Sequence, residues 1–304
     1  MRKKVSCHII TYNQKDYISQ CVDGVLMQQI DFPFEIIIGD DNSTDGTREI
    51  LIEYQKKYPE IITLNLRKEK GKGIPGKENF VTTLQMCKGE YISLCDGDDY
   101  WTDPLKLQKQ ISFLETNTEY VMHSANAMQI STDPEFNNKP IFNNSTDSIF
   151  ELKDFLLNNN IVACTTMFRN IDFRFPKSFK NVAFGDWFLH VILMKNTGLK
   201  IYRSKDIFSA YRIHDKGVMN TLGISNNYSM HIIQIITVHN YLGKKKFEDK
   251  EKEVLNYYFL EKYRLVLKDK FYFKALKAFM GNFRYSKTKM PFKEYLSEIK
   301  HHIL

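Results

Sequence analysis

Short apolar runs alternate with segments of helical spacing through the first hundred residues, and this alternation constrains the fold more than any other property of the chain. Val5–Ile10 is an apolar run, Tyr17–Gln28 has helical spacing, and Phe34–Gly39 is a second run. Ser43 is placed to cap a helix running through Ile50, Leu51 and Tyr54. A strand over Ile61–Leu66, a helix over Phe80–Cys87 and a strand over Glu90–Cys95 complete the pattern. Repeated β-α alternation predicts an α/β fold: a mostly parallel sheet with helices on both faces and ligands gathered at the C-terminal strand ends. Those ends carry Thr11-Tyr12-Asn13, Asp40-Asp41-Asn42-Ser43 and Asp96-Gly97-Asp98-Asp99. Three polar clusters are thereby expected on one rim.

The last cluster is the most demanding chemically, because unpaired carboxylates at the end of a buried strand are costly. Aspartates at alternate positions can offer two oxygens to one hard divalent cation, which can in turn hold phosphates. The competing reading is an acidic turn with capping duty, since Asp103-Pro104 is a good helix start with Pro at the first helical position. Calcium-loop spacing is not met, as no glycine follows three ligands at the sixth position. Gly71 to Lys77 satisfies GxxxxGK between a strand and a helix, but Glu78 stands where a phosphate loop needs a hydroxyl for magnesium. Either a glycine-rich surface loop or a lid whose Lys77 and Asn79 touch a ligand fits this segment.

At 304 residues with 43% hydrophobic content, the chain has room for a large α/β domain plus an appendage. No apolar stretch approaches the roughly 18 residues of a membrane span, and the N-terminus leads into a strand rather than a signal peptide, so a cytoplasmic protein is expected. Cys7, Cys21, Cys87, Cys95 and Cys164 form no CxxC pair and read as reduced core residues. Charge is uneven. Residues 241–304 hold 16 Lys or Arg against 8 Asp or Glu, while the whole chain holds 43 against 36, so the formal +7 comes entirely from the tail. With aromatics interleaved, as in Phe271–Met280, the tail suits either an anionic membrane surface or a solvated helical bundle. No nucleic-acid module accompanies the charge, so no nucleic-acid partner is expected.

Three ordered motifs carry a family resemblance: Ser6-Cys-His-Ile-Ile-Thr-Tyr-Asn13, Ile36-Ile-Ile-Gly-Asp-Asp-Asn-Ser-Thr-Asp-Gly-Thr47 and Lys88-Gly-Glu-Tyr-Ile-Ser-Leu-Cys-Asp-Gly-Asp-Asp-Tyr-Trp101. Over roughly residues 4–215 the chain resembles the family 2 glycosyltransferases of GT-A fold, with a mixed, mostly parallel sheet and here a C-terminal helical extension. The resemblance implies a nucleotide-diphospho-sugar donor, a divalent metal (Mn or Mg), inversion at the anomeric carbon, and a saccharide or lipid-linked saccharide acceptor, often in bacterial capsule, lipopolysaccharide or other surface-glycan synthesis. It divides the chain into a nucleotide-sugar half, 1–103, an acceptor half, 104–215, and a basic helical extension, 216–304.

By the same resemblance Thr11, Tyr12 and Asp41 line the nucleoside pocket, Asp41 reading the base. Asp96 lies near the ribose and Asp98 binds metal, while Asn13, Asp40 and Asp99 shape their loops. Lys77 and Asn79 occupy the donor-facing loop, departing from the commoner Arg-Asn pair. Inversion needs a base for the acceptor hydroxyl. Asp186 opens an apolar helix, where capping alone would favour an acid, but the resemblance makes it the base, with Gly185 replacing the common glutamate. Ala210–His214 reads as a strand, and the family's Tyr-Arg-x-His segment implies that His214 meets the metal or diphosphate, with Arg212 a lesser candidate. Trp101 and Trp187 either stack on a sugar or pack. Segments around 226–241, 248–270 and 291–303 read as helices that cover the acceptor side or dock on the inner face of a membrane. A sugar-phosphate nucleotidyltransferase and a non-catalytic nucleotide-sugar-binding module are the alternatives from other classes.

Overall fold

The computed structural model describes residues 3–143, 145–215, 217, 224–269 and 272–285. Its chain divides into two compact units: Met1–Leu152 with Asn159–Phe175 and Leu189–His214, and Lys153–Asn158 with Pro176–Phe188 and Asp215–Leu304. The second unit takes in 153–158 and 176–188, which the sequence reading keeps in the N-terminal domain. Apolar side chains explain the difference: the Trp187 indole donates to the Phe155 carbonyl at 2.7 Å, and Phe188 stacks on Phe179 and meets Tyr241 edge-on.

The first unit is built on one sheet. Strands β1 (Val5–Thr11), β2 (Phe34–Asp40), β3 (Ile62–Leu66) and β4 (Tyr91–Asp96) form its parallel half in the order β3-β2-β1-β4. The sheet continues antiparallel through β8 (Met167–Arg169) to β6 (Tyr120–Ser131), then parallel to β9 (Lys200–Ile213), with β5 (Tyr100–Trp101) and β7 (Ser148–Phe150) both antiparallel to β9. Helices α1 (Ile18–Leu26), α2 (Thr47–Lys57), α3 (Lys77–Leu84) and α4 (Lys106–Thr116) fill the crossovers.

Alternation along β1 sets which helix covers which face. Val5, Cys7 and Ile9 enter the core with Ile18, Cys21, Val22 and Val25 of α1. Ser6 and His8 turn the other way, and a His8 ring nitrogen lies 2.7 Å from Thr83 Oγ1 on α3, with the ring edge-on to Phe80. Burial pushes the His8 imidazole down to about 3, and burial, then the Lys106 charge, holds His123 at about 3 as well. An unfolded chain takes up protons on both rings from about pH 6.5 downward, while the folded chain refuses them until about pH 3. Stability is therefore complete above the unfolded value and is lost as the pH falls toward 3, by on the order of several kcal/mol. Urea midpoints measured at pH 7 and pH 4 should show this loss, and His8→Gln should make it shallower; equal slopes in the two chains would contradict it.

Several boundaries differ from the sequence reading, each for a local reason. Helix α2 begins at Thr47 after Gly46 in the left-handed region (φ 106°), and Ser43 Oγ instead accepts the Asn13 N–H at 2.9 Å. Helix α4 begins at Lys106, because the Asp103 carboxylate takes the Leu105 N–H at 2.8 Å and holds a turn there. Helix α3 starts at Lys77, three residues early. All five cysteines are buried free thiols, in keeping with the reduced core expected.

Helix α5 (Gly185–Thr197) is buried on all sides through its middle, where Phe188, Leu189, Val191, Ile192 and Leu193 are fully buried, and only its last turn, with Lys195 and Asn196, is exposed. Within the second unit, α6 (Ile224–Tyr241), α7 (Asp249–Lys268) and α8 (Tyr272–Tyr285) follow in order. A capping box between Glu248 and Glu251 starts α7. The helix read over 291–303 lies outside the described residues. Among the described residues no helix is long and apolar enough to cross a membrane.

Candidate active site

Parallel pairing of β2, β1 and β4 places their C-terminal ends side by side: Thr11 is level with Asp40, and Ile10 with Asp96. Strand order reverses at β1, so this rim is the crevice where open α/β sheets bind ligands. The three polar clusters expected there do converge.

Asp41 leads the first cluster. Its N–H donates to the Thr11 carbonyl at 3.0 Å, and its Oδ1 accepts the Gly71 N–H and pairs with Arg67 Nε, each at 2.9 Å. The residue is 1% exposed, and Oδ2 has no hydrogen-bond partner. A buried carboxylate oxygen left open in this way suits a donor supplied by a ligand. Tyr12 stands beside it with the Lys70 ammonium 3.7 Å from its ring centroid. Asn13, in the left-handed region at φ 53°, accepts the Thr44 N–H at 2.8 Å, and Asp40 binds Arg48 and the Ser43 N–H, so both hold the loops.

In the acidic turn, Asp99 N–H donates to the Asp96 carbonyl at 2.9 Å. Gly97 is required, since a β-carbon there would stand 2.5 Å from Gln14 Oε1 and 2.8 Å from Thr11 Cβ. Asp99 is buried and accepts the Arg212 N–H at 2.9 Å; burial, then the charges of Asp98 and Asp96, drive its carboxyl well above the ordinary carboxylate range. The Asp98 carboxylate lies 3.1 Å from His214 Nε2. Arg212 ties the arrangement together: its guanidinium donates to the Asp98 carbonyl and to Gln20 Oε1 and lies over the rings of Tyr17 and Tyr100. Below the turn, fully buried Lys106 donates to Ser93 Oγ and Gln110 Oε1, both at 2.8 Å, and burial lowers its pKa to about 8.

Among the described residues no three His, Cys, Asp or Glu side chains are gathered into a metal cluster. Asp98 and His214 nevertheless form a compact oxygen and nitrogen donor pair. Magnesium and manganese are commonly held by one or two carboxylates, the rest being water and substrate phosphate, so the Asp98 carboxylate suits such an ion and His214 stands beside it as a nitrogen donor.

Lys77 opens α3 and is mostly buried. Asn79 is buried, and its amide donates to the Gly39 carbonyl at 2.7 Å, so it reaches the rim through β2. A β-carbon on Gly39 would collide with Asn79 Oδ1 and Thr83 Cγ2. Gly39→Ala is expected to cost about 1–3 kcal/mol through overpacking, and an unchanged urea midpoint would contradict this contact. Trp101 and Trp187 are buried, with indole N–H groups bonded to the carbonyls of Cys164 and Phe155, so both pack and neither faces a sugar. Asp186 lies in the first turn of α5.

The family model for Glycosyl transferase family 2 matches residues 6–175, more than half of the chain and all three strand-end motifs. The chain belongs to glycosyl transferase family 2. An uncharacterized protein of Mycobacterium tuberculosis is 34% identical over 216 residues, which is 70% of this chain and 59% of that protein. The chain therefore spans less than two thirds of that relative. The Escherichia coli UDP-Glc:alpha-D-GlcNAc-diphosphoundecaprenol beta-1,3-glucosyltransferase WfgD is 27% identical, covering 70% of this chain and 79% of that enzyme. Staphylococcus aureus TarS residues 1–349 with UDP-GlcNAc superposes with TM-score 0.58 at 16% identity, covering 99% of this chain and 91% of that one. The mannosyltransferase PcManGT of Pyrobaculum calidifontis, with GDP-Man and Mn2+, gives TM-score 0.57 at 14% identity over 98% and 79%. Those two structures establish the GT-A fold of this family 2 chain.

Family membership and fold agree with the sequence reading. Gln20, Arg67 and Lys70 are not legible as site residues in the sequence, because each meets its partner only after the sheet has formed.

Proposed function

We propose that this chain is an inverting glycosyltransferase that moves a sugar from a nucleotide-diphospho-sugar donor to an acceptor hydroxyl during synthesis of a bacterial surface glycan. One observation carries the reading: the Asp98–His214 pair, 3.1 Å apart, at the strand-end rim of a family 2 chain. WfgD acts, by its name, on a diphosphoundecaprenol-linked acceptor with a UDP-Glc donor, and that likeness supports a lipid-linked saccharide acceptor here. The reaction is assigned to the cytoplasmic side, with residues 1–103 holding the donor and 104–215 the acceptor.

In this reading Asp41 Oδ2 accepts an N–H from the nucleobase, with Arg67 and the Gly71 N–H fixing the carboxylate. Thr11 and Tyr12 line the nucleoside, Asp96 faces the ribose, and Lys77 adds positive charge on the donor side. Asn79 acts through Gly39. Asp98 and His214 would hold Mn or Mg. Such a cation, when bound, offsets the negative charge of the departing diphosphate. Asp186 takes the proton of the acceptor hydroxyl while the hydroxyl oxygen attacks the anomeric carbon and the bond to the nucleoside diphosphate on the opposite side breaks, which inverts that centre.

The test is product analysis with a panel of nucleotide sugars and lipid-linked acceptors. Nucleoside diphosphate released one-to-one with a glycoside of inverted configuration is the expected result. Pyrophosphate made from a nucleoside triphosphate and a sugar phosphate would instead identify a nucleotidyltransferase, and tight donor binding without transfer would identify a binding module.

A further inference from the structure

Helix α8 has two unlike faces. On one, Ala275 and Ala278 are buried against α7 with Tyr263, Val266 and Leu267, and Gly281 lets the Phe259 ring approach where a β-carbon would collide. The other runs through Phe273, Lys277, Met280 and Arg284, spaced i, i+4, i+7 and i+11, with Lys274 and Phe283 alongside. Phe273 is 69% exposed, Met280 61% and Phe283 56%. These are large apolar side chains on one stripe, and they are interleaved with cations; the Lys277 ammonium lies 4.7 Å from the Phe273 ring centroid.

Charge narrows what this stripe can meet. From Tyr272 to Tyr285 the helix carries Lys274, Lys277 and Arg284 and no carboxylate. On α7, Lys262 is held below the ordinary lysine range by partial burial and then by Lys274 and Lys277. A second copy of the same face would set cation against cation. An anionic bilayer instead offers phosphate to the cations and an apolar layer to the rings, the arrangement of helices that lie in a membrane interface.

We propose that this face of α8 docks on an anionic phospholipid surface, with Phe273, Met280 and Phe283 entering the interface and Lys274, Lys277 and Arg284 engaging headgroup phosphates. The docking is independent of which sugar is transferred.

Sedimentation of the full chain with phosphatidylcholine vesicles, with and without phosphatidylglycerol, tests it. Binding is expected only with phosphatidylglycerol and should weaken as salt rises. Lys274→Gln with Lys277→Gln should weaken binding by about fivefold per charge removed, and Phe273→Ser with Met280→Ser by about tenfold or more. Circular dichroism checks that each variant is folded, and the lysine pair alone keeps the test decisive if the apolar pair is not. Equal sedimentation of wild type and the lysine variant would overturn the proposal. So would a concentration-dependent dimer, lost in Phe273→Ser with Met280→Ser, in a chain that ignores vesicles.

Discussion

Asp186→Asn is expected to bind a nucleotide-diphospho-sugar as the wild type does and to lose turnover by about 10²–10⁴-fold. A sugar hydroxyl is a poor nucleophile until its proton has somewhere to go, and an amide cannot take it. The substitution keeps size and shape in the first turn of α5, where asparagine also suits a helix start, so the fold should persist. Initial rates and calorimetric donor affinity, measured on one preparation, separate the two effects. Full activity in the Asp186→Asn variant would remove Asp186 as the base.

Asp98→Ala makes a different prediction, because it empties one half of the Asp98–His214 pair. Arg212 grips the Asp98 backbone carbonyl and Asp99 grips the Arg212 N–H, so the turn itself should survive loss of the side chain. Metal-dependent donor affinity should fall by about 100-fold or more. Binding of the nucleoside alone, which depends on Asp41, Thr11 and Tyr12, should change little. Titrating donor and nucleoside with and without manganese checks both statements; an unchanged manganese response would contradict the role given to Asp98.

These two residues also show how far the sequence can be read. The place of Asp98 on the rim is legible because a buried apolar strand ending in carboxylates is a costly and therefore informative pattern, and because β1, β2 and β4 announce themselves through their apolar runs. The second half of the sheet is harder. Strand β8 is three residues long and exists only through antiparallel pairing with β4 and β6, partners distant in sequence. Arg67 gives no local sign that it will pair with Asp41, and Gln20 on α1 none that it will meet Arg212 on β9. Asn79 is legible as a polar residue near the rim, whereas its bond to the Gly39 carbonyl depends on how closely α3 approaches β2. Helix starts are misplaced where a side chain near the expected cap is committed elsewhere: Ser43 to Asn13, and Asp103 to a turn before α4. The two tryptophans stay ambiguous in the sequence, and their indole N–H groups, bonded to backbone carbonyls, resolve them as packing residues.

Calorimetric titration of the purified chain with nucleoside diphosphates and nucleotide sugars, each with and without manganese, is the decisive measurement for a metal-dependent nucleotide-sugar site. Manganese-dependent binding of one nucleotide class, lost in Asp98→Ala and retained in Asp186→Asn, is the expected result. Binding that is indifferent to manganese and to Asp98, or no binding across the panel, would contradict it.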